Sequence, residues 1–256
     1  MKKLNFLAMS SKEELAVAEK LLQTINFSSN KNTVTNFLTN FEQIILEKLI
    51  FHNYKDFKVE FFGGIDTSER KKAKIISNDY YDIKYGICCL KATYNNKFNE
   101  LKHKDVLGAV YNLGLNFNRF GDIVVQENEI YLFVDEEIVD FVTMNLSKIG
   151  RVNISLEKIE FSKIKIEKQF SDFEIVTSSL RVDAIAAKIT NKSRSKIKEF
   201  LEQEFIKVNH VVIRNGEKTC STGDIISIRR YGRFIFRGQI QNKKSLKYRV
   251  TMSKPI

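Results

Sequence analysis

The residues of this chain with the clearest chemical potential are basic side chains in its last third. Arg181 and Lys188 are seven residues apart, a spacing that places both on one face of a helix. Arg194 follows Ser193, a residue type that caps helices, so its guanidinium is expected beside the free N–H groups that begin a second helix. Both a guanidinium and a helix N-terminus favour phosphate. These residues therefore predict the non-covalent binding of phosphate groups.

A further basic group lies closer to the C-terminus and contains an aromatic residue. Tyr231 stands between Arg230 and Arg233 and is suited to stacking on an unpaired base. For any one of these side chains a solvated surface position is an equally good interpretation, but for the set RNA binding is favoured. The complete predicted RNA-binding set is Arg181, Lys188, Lys192, Arg194, Lys196, Lys198, Lys207, Arg229, Arg230, Tyr231 and Arg233.

The distribution of charge along the chain supports this interpretation. The 256 residues include 42 basic and 31 acidic ones, for a net charge of +11. From residue 178 onward there are 18 basic and 6 acidic residues, so the whole excess lies in the last third. A lysine-rich composition would have spread the excess along the chain. The basic end is therefore expected to attract a polyanion.

A second, local basic run occurs near residue 70. Gly63-Gly64 lacks the G-x-G-x-x-G pattern of a dinucleotide site and is interpreted as a strand-to-helix turn, with residues 67–69 beginning the helix. The run that follows is Arg70, Lys71, Lys72 and Lys74. It is a candidate secondary RNA contact, and an ordinary solvated run is the alternative.

The sequence predicts no catalytic residue, no cofactor and no metal site. His103-Lys104-Asp105 resembles part of a kinase catalytic loop, but the Asn that should follow it, a Gly-rich phosphate loop and a D-F-G motif are all missing. The histidines are scattered, and no C-x-x-C occurs. Cys88, Cys89 and Cys220 are interpreted as reduced core residues of a cytosolic protein. No apolar stretch is long enough to span a membrane, and no secretory signal begins the chain.

Apolar spacing predicts an α-rich N-terminal domain over residues 1–78. Two helices are expected within residues 11–52, followed by a strand over residues 57–62. The positions that recur at the spacing of the second helix are Val34, Phe37, Leu38, Phe41, Ile45 and Leu49.

Residues 79–165 are predicted to form a central domain with the order β-α-β-β-α-β, as in ferredoxin-like and RNA-recognition-motif folds. Asp135 is expected to cap the second helix and Gly150 to end it. Tyr131 and Phe133 share one face of a strand that carries base-stacking aromatics in RNA-recognition motifs. Packing against a neighbouring domain is the favoured role for both.

The last third is predicted to be a compact αα-β module. Residues 162–177 are interpreted as a connector. Residues 178–256 contain two short helices, several short strands and a basic tail. The expected fold class is therefore α+β, with three small domains.

Four segments of this module resemble the RNA-binding domain shared with ribosomal small-subunit protein four, the S-four domain. They are Leu180-Arg181-Val182-Asp183, Ser193-Arg194-Ser195-Lys196, Ile206-Lys207-Val208-Asn209 and Gly223-Asp224-Ile225-Ile226. In that family the N-terminal end of the second helix faces RNA. A Gly commonly precedes the V-x-V-N strand, whereas this chain has Glu204-Phe205.

The chain as a whole resembles the YlmH family. The matching segments are Phe62-Gly63-Gly64, Ser68-Glu69-Arg70-Lys71, residues 101–109, Phe120-Gly121-Asp122-Ile123, Ile149-Gly150-Arg151 and Arg230-Tyr231-Gly232-Arg233-Phe234. The resemblance implies a non-catalytic, cytoplasmic RNA-binding monomer that contacts ribosomal RNA and tRNA on the large ribosomal subunit. It also implies a part in rescuing subunits that hold stalled peptidyl-tRNA.

Two other classes of function stay open. S-four domains also occur as RNA anchors on pseudouridine synthases and methyltransferases, so an RNA-modification or ribosome-biogenesis factor is one alternative. The chain has no Gly-rich cofactor loop to support a methyltransferase. A structural adaptor that binds protein through the first two-thirds of the chain is the other alternative.

Overall fold

The chain folds into two units, Met1–Ile166 and Glu167–Ile256. The computed structural model describes residues 12–28, 31–77, 82–95, 100–164, 166 and 170–255. The helices are α1 (Lys12–Phe27), α2 (Asn40–Asn53), α3 (His103–Tyr111), α4 (Val139–Asn145), α5 (Val182–Thr190) and α6 (Arg194–Glu202). With the sheets described below, these helices confirm the α+β class.

The first sheet of unit 1 combines short strands with the two N-terminal helices. Its strands are β1 (Thr33–Val34), β2 (Lys58–Phe62) and β3 (Lys72–Ile76), in the order β1-β3-β2. Thr39 caps α2 in a capping box, in which the Glu42 N–H donates to Thr39 Oγ1 at 3.3 Å and the Thr39 N–H donates to Glu42 Oε2 at 2.6 Å. Because that cap begins the helix at Asn40, the predicted helical pattern started too early, and Val34 lies on β1.

The predicted helix start at residues 67–69 is wrong. The Glu69 and Arg70 N–H groups donate to the Asp122 carboxylate at 2.7 and 2.9 Å, so a side chain satisfies these N–H groups in a turn. The chain then enters β3, where Ala73 and Ile75 are fully buried at alternate positions. A period of two is typical of a strand.

The second sheet of unit 1 has the predicted β-α-β-β-α-β order. Its strands are β4 (Ile87–Thr93), β5 (Phe120–Gln126), β6 (Glu129–Asp135) and β9 (Glu157–Ile159), and they are antiparallel in the order β5-β6-β4-β9. A two-stranded sheet of β7 (Lys148–Ile149) and β8 (Val152–Asn153) follows α4. Gly150 has a φ of +57° in the turn between these strands, so it forms a hairpin and does not end α4.

One buried cluster connects the two sheets of unit 1. Phe37, Cys89, Tyr131 and Phe133 are each at most 1% exposed and pack together. Gly64 approaches this cluster so closely that an added Cβ would lie 2.4 Å from the Phe133 ring. Burial of Tyr131 and Phe133 agrees with the packing role favoured from sequence. Because the cluster draws on both predicted domains, the division of the chain into three domains stays a prediction.

Unit 2 is one six-stranded sheet with α5 and α6 packed in its core. The strands are β10 (Phe170–Thr177), β11 (Ile206–Val208), β12 (Val211–Val212), β13 (Ile225–Ile228), β14 (Gly232–Gln241) and β15 (Tyr248–Pro255). Their order is β10-β15-β14-β13-β11-β12. Ile185, Ile197 and Phe236 are each fully buried in this core.

Two segments interpreted as irregular belong to this sheet. The predicted connector contains β10, and the predicted basic tail contains β15, which pairs with β10 along its whole length. Val250 and Met252 are fully buried, and Phe173 and Ile175 pack in the same core. The alternate residues of β10 are polar or exposed. A strand with only one buried face therefore resembled a mixed connector in the sequence.

Residues of the four segments that resemble the S-four domain form the turns of unit 2. Ser193 caps α6 by accepting from the Lys196 N–H at 3.3 Å, as predicted. Asn209 Nδ2 donates to Asp224 Oδ1 at 2.7 Å, which ties the end of β11 to the start of β13. Glu204, where the family commonly has Gly, has a φ of +59°. This residue adopts the left-handed conformation that Gly would favour, and it forms an ion pair with Arg214.

Candidate nucleic-acid interface

The connection between α5 and α6 brings the end of one helix next to the start of the other. Asn191 ends α5 in the left-handed conformation, with a φ of +53°. Two residues later Ser193 caps α6, whose first residue is Arg194. The free N–H groups of α6 therefore lie close in sequence to Lys188, which is in the last turn of α5.

A pocket of about 290 Å³ lies at this junction and is called here the phosphate pocket. Lys188, Lys192 and Arg194 line it and are all exposed. None of the three forms an ion pair with a described residue. Its other lining residues are Thr177, Ser178, Ala184, Ala187 and Asn191. Three predicted residues thus meet at one concave site that contains no carboxylate and offers hydroxyl and amide groups.

A second group, the aromatic–basic cluster, consists of Lys196, Phe200, Phe205, Arg229 and Tyr231. The Arg229 guanidinium lies 4.8 Å from the centre of the Phe205 ring, and the Lys196 ammonium lies 6.0 Å from that of Phe200. The Tyr231 ring is 6.1 Å from the Phe200 ring and half-buried against the core. Its position is therefore better suited to supporting the cluster than to stacking freely on a base. No local sequence pattern predicted the contact of Phe200 and Phe205 with cations.

Arg181 belongs to neither group because two carboxylates hold its guanidinium. Its Nη2 lies 2.9 Å from Asp183 Oδ2, and its Nη1 lies 3.2 Å from Glu217 Oε1. The hydrogen bonds that Arg181 donates to Asp183, followed by the charges of Asp183 and Glu217, raise the pKa of Arg181. The structure therefore places Arg181 in a surface ion-pair network at the start of α5.

The other predicted residues of unit 2 are dispersed. Lys196 also pairs with Glu199 on α6, and Lys198 is exposed on the same helix. Lys207 and Arg233 both lie opposite Ser227 in the sheet, between neighbours that face the core. They therefore occupy the sheet face that points away from α5 and α6. Arg230, with a φ of +72°, is exposed in the turn between β13 and β14.

The basic run of unit 1 is largely engaged inside the protein. Arg70 Nε donates to the Phe120 carbonyl at 2.8 Å, and burial lowers the pKa of this guanidinium. Lys72 is 4% exposed, with its Nζ 3.1 Å from Asp135 Oδ2. Lys74 Nζ donates to Asp82 at 2.9 Å and lies 4.6 Å from the Tyr85 ring centre. We therefore assign Arg70 and Lys72 to the interior of unit 1, which leaves Lys71 and Lys74 as candidates for the predicted secondary contact.

Unit 1 also contains a larger cleft, of about 750 Å³, that is balanced in charge. Phe62, Tyr85 and Phe161 supply aromatic surface. The charged residues that line it are Lys74, Lys84, Lys158, Asp82, Glu136 and Glu160. Because three lysines face three carboxylates, this cleft has no excess charge with which to attract a polyanion.

The cysteines are free and buried. Desolvation raises the pKa of Cys89 and of Cys220 to about 12, so both stay protonated at neutral pH and are poor nucleophiles. Among the described residues there is no group of three or more His, Cys, Asp or Glu side chains that could hold a metal ion. Within the same residues, no helix has the length and apolar character needed to cross a membrane.

Three kinds of comparison with known proteins give similarities. A family model described as "Putative RNA-binding domain in YlmH" matches residues 81–163, which lie within unit 1. The Bacillus subtilis (strain 168) protein named "Ribosome-associated protein quality control protein P2" is 34% identical over 227 residues, covering 86% of each chain. A solved structure titled "Cell division protein ylmH from Streptococcus pneumoniae" is 26% identical with a TM-score of 0.52, covering 63% of this chain and 100% of that one.

Proposed function

The chain is a member of the YlmH family, and from that premise we propose that it is a non-catalytic RNA-binding factor that acts on the ribosome. The observation that carries this proposal is the phosphate pocket of unit 2. There Lys188, Lys192 and Arg194 converge with no carboxylate among the lining residues. Three uncompensated cations in a concave site favour a ligand with several negative charges.

The chemistry of the phosphate pocket fits an RNA backbone. The guanidinium of Arg194 donates two parallel hydrogen bonds to phosphate oxygens, and the two ammonium groups act as point charges. The N–H groups at the start of α6 are further hydrogen-bond donors, and their partial positive charge also favours phosphate. Binding of this kind releases counterions, so its affinity falls steeply as salt rises.

The aromatic–basic cluster adds a surface for bases. Arg229 is held over Phe205, so its guanidinium plane is presented as a stacking surface for an unpaired base. Both groups lie at α6, with Arg194 at its first residue and Phe200 near its last turn. One strand of RNA that follows this helix would meet the phosphate pocket first and the aromatic–basic cluster next.

The finer parts of the proposal come from the family. We propose contacts with ribosomal RNA and tRNA on the large ribosomal subunit, in the quality control of stalled peptidyl-tRNA. The name of the Bacillus subtilis relative refers to ribosome-associated quality control and supports that part of the proposal. We also propose that the protein is a cytoplasmic monomer that uses no cofactor.

In-cell crosslinking followed by sequencing of the bound RNA tests the proposal. The wild-type chain is compared with a variant in which Lys188, Lys192 and Arg194 are all changed to Gln. We expect wild-type reads concentrated in large-subunit ribosomal RNA and tRNA, and a strong loss of these reads in the variant. Wild-type reads on small-subunit RNA or at isolated modification sites would contradict the proposal and favour a biogenesis or modification role.

A further inference from the structure

The end of unit 2 contains a basic surface that the site described above does not include. From Ile225 to Ile256 the chain has nine basic residues and no acidic one. Three of the nine are Lys243, Lys244 and Lys247, in the turn that joins β14 to β15. All three side chains are exposed. The turn therefore carries concentrated positive charge with no carboxylate in the same stretch.

Hydrogen bonds hold the backbone of this turn in one conformation. The Asn242 N–H donates to the Lys247 carbonyl at 2.8 Å, and the Leu246 N–H donates to the Asn242 carbonyl at 2.9 Å. Asn242 Oδ1 also accepts from the N–H groups of Lys244 and Ser245, at 2.9 and 3.0 Å. Since the backbone is already ordered, binding through this turn costs little further conformational entropy.

Leu246 is unusual in both conformation and environment. It has a φ of +57°, a left-handed conformation that a branched apolar residue rarely adopts, and its side chain is 66% exposed. A solvated turn would gain nothing from Leu at this position, whereas Gly or Asn would remove the strain. An apolar side chain held in a strained conformation among lysines is suited to contact with a base or ribose.

The apolar surface continues onto the strands behind the turn. Arg249 on β15 lies directly opposite both Ile240 on β14 and Val176 on β10. Ile240 is 73% exposed and Val176 is 52% exposed. These aliphatic residues lie on either side of Arg249 in the sheet, and the Arg249 Nε lies 3.8 Å from Glu174 Oε2 on the edge strand β10.

We propose that this end of the β14–β15 hairpin, called here the hairpin surface, is a second RNA contact beside the phosphate pocket, since the pocket residue Thr177 lies opposite Tyr248 at the start of β15. Its lysines bind backbone phosphates, and Leu246 contacts a base or ribose between them. Charge complementarity to a polyanion selects RNA, because apolar side chains among cations match the alternation of bases and phosphates. This inference rests on the proposed function, since it adds a second contact for the same ligand.

The first test measures salt dependence with the full chain. The probe is large-subunit ribosomal RNA transcribed in vitro, titrated from about 50 to 300 mM KCl. Changing Lys243, Lys244 and Lys247 to Gln should weaken binding by roughly 10- to 100-fold at about 100 mM salt and reduce the salt slope by about 2 to 3. The matched control changes the same three residues to Arg, which keeps the charge and should keep the slope. A Gln variant with wild-type slope would overturn the inference and leave the hairpin surface to another partner, such as an acidic protein.

The second test separates binding from folding at one residue. Leu246→Gly removes the apolar side chain and relieves the strain of the positive φ, so the protein should be as stable as wild type or more stable. We expect RNA affinity to fall severalfold with an unchanged salt slope, because no charge is lost. Wild-type affinity in this variant would remove Leu246 from the hairpin surface.

The outcomes distinguish this inference from the proposed function. If the wild-type chain shows no salt-dependent RNA binding, both fail. If the wild-type chain binds, and neutralising the phosphate pocket weakens binding while neutralising the hairpin surface does not, the hairpin inference alone fails.

Discussion

Basic residues have opposite roles in the two units of this protein. In unit 1 the side chains of Arg70 and Lys72 point into the protein, where they donate hydrogen bonds to carbonyl groups. Lys72 also forms an ion pair with a carboxylate. In unit 2 the side chains of Lys188, Lys192 and Arg194 are exposed around a pocket with no carboxylate in its lining. Both sets appear in the sequence as short basic runs.

A basic run therefore indicates a nucleic-acid surface only when its charges lack partners. A paired cation has already exchanged its hydration for a carboxylate, so phosphate must compete with that partner. An unpaired exposed cation has no such partner to leave, and when it neutralises a phosphate it releases a counterion condensed on the RNA, which is the favourable entropic term in RNA binding. Variants that change the pairing of cations in each unit test this rule.

The largest effect is expected for Asp135→Ala in unit 1. This change removes the carboxylate 3.1 Å from Lys72 Nζ and leaves a buried ammonium whose remaining bond is to the Gly86 carbonyl. Breaking a buried pair in this way typically costs about 3–5 kcal/mol. We expect a loss of that size in the free energy of unfolding of unit 1, measured by amide hydrogen exchange in β6.

The matched control for this prediction is Asp82→Ala, which removes the partner of Lys74. The Asp82 carboxylate is 89% exposed, so water replaces it and hydrogen exchange in β6 should not change. If Asp135→Ala also had no effect on exchange, the basic residues of unit 1 would not be structural and the comparison would fail.

The burial of Lys72 illustrates what the sequence could not predict. Periodicity and caps predicted most of the helices, because both signals are local, and the Ser193 cap is confirmed. The partner of Lys72 is Asp135, far along the chain, and no local pattern connects them. The strand β10 was not predicted for the same reason, because its partner β15 lies near the other end of the sequence of unit 2.

The candidate site divides in the same way. The meeting of Lys188 with Arg194 could be predicted, because adjacent helix ends position both. The contact of Arg181 with Glu217 could not, because it joins residues that are 36 positions apart. The three lysines of the hairpin surface were missed because β15 was interpreted as a tail. The absence of acidic residues after Asp224 was the available signal.

The second largest effect is expected for the phosphate pocket. Changing Lys188, Lys192 and Arg194 to Gln should weaken RNA binding by about 100-fold near 0.1 M salt and reduce the salt slope by about 2 to 3. The free energy of unfolding should change by less than about 0.5 kcal/mol, because exposed side chains without ion pairs are lost. Filter binding and urea unfolding measure the two quantities.

A charge-matched control uses three exposed lysines of unit 1. Lys20, Lys48 and Lys55 are changed to Gln, which lowers the net charge by the same amount. Retained RNA affinity in this control would assign the effect to the phosphate pocket. An equal loss in both variants would mean that net charge, and not the pocket, determines binding.

A smaller effect is expected for the candidates that remain in unit 1. Lys74 is held by Asp82 and by the Tyr85 ring, and Lys71 is half-buried. Changing both residues to Gln should weaken RNA binding by less than about threefold with little change in slope. A loss as large as that of the phosphate-pocket variant would restore the predicted secondary contact and assign RNA binding to both units.

The smallest effect is expected for Arg181→Gln, which separates pairing from location. Arg181 lies in unit 2 near the phosphate pocket in sequence, yet Asp183 and Glu217 hold it as carboxylates hold the cations of unit 1. If pairing decides the role of a cation, this variant should change RNA affinity by less than about twofold and leave the salt slope unchanged. Glu217→Gln should then increase RNA affinity slightly, since it removes one of the two carboxylates that compete with phosphate. A loss in Arg181→Gln with a slope lower by about one would show that Arg181 contacts phosphate despite its partners, and location would replace pairing as the rule.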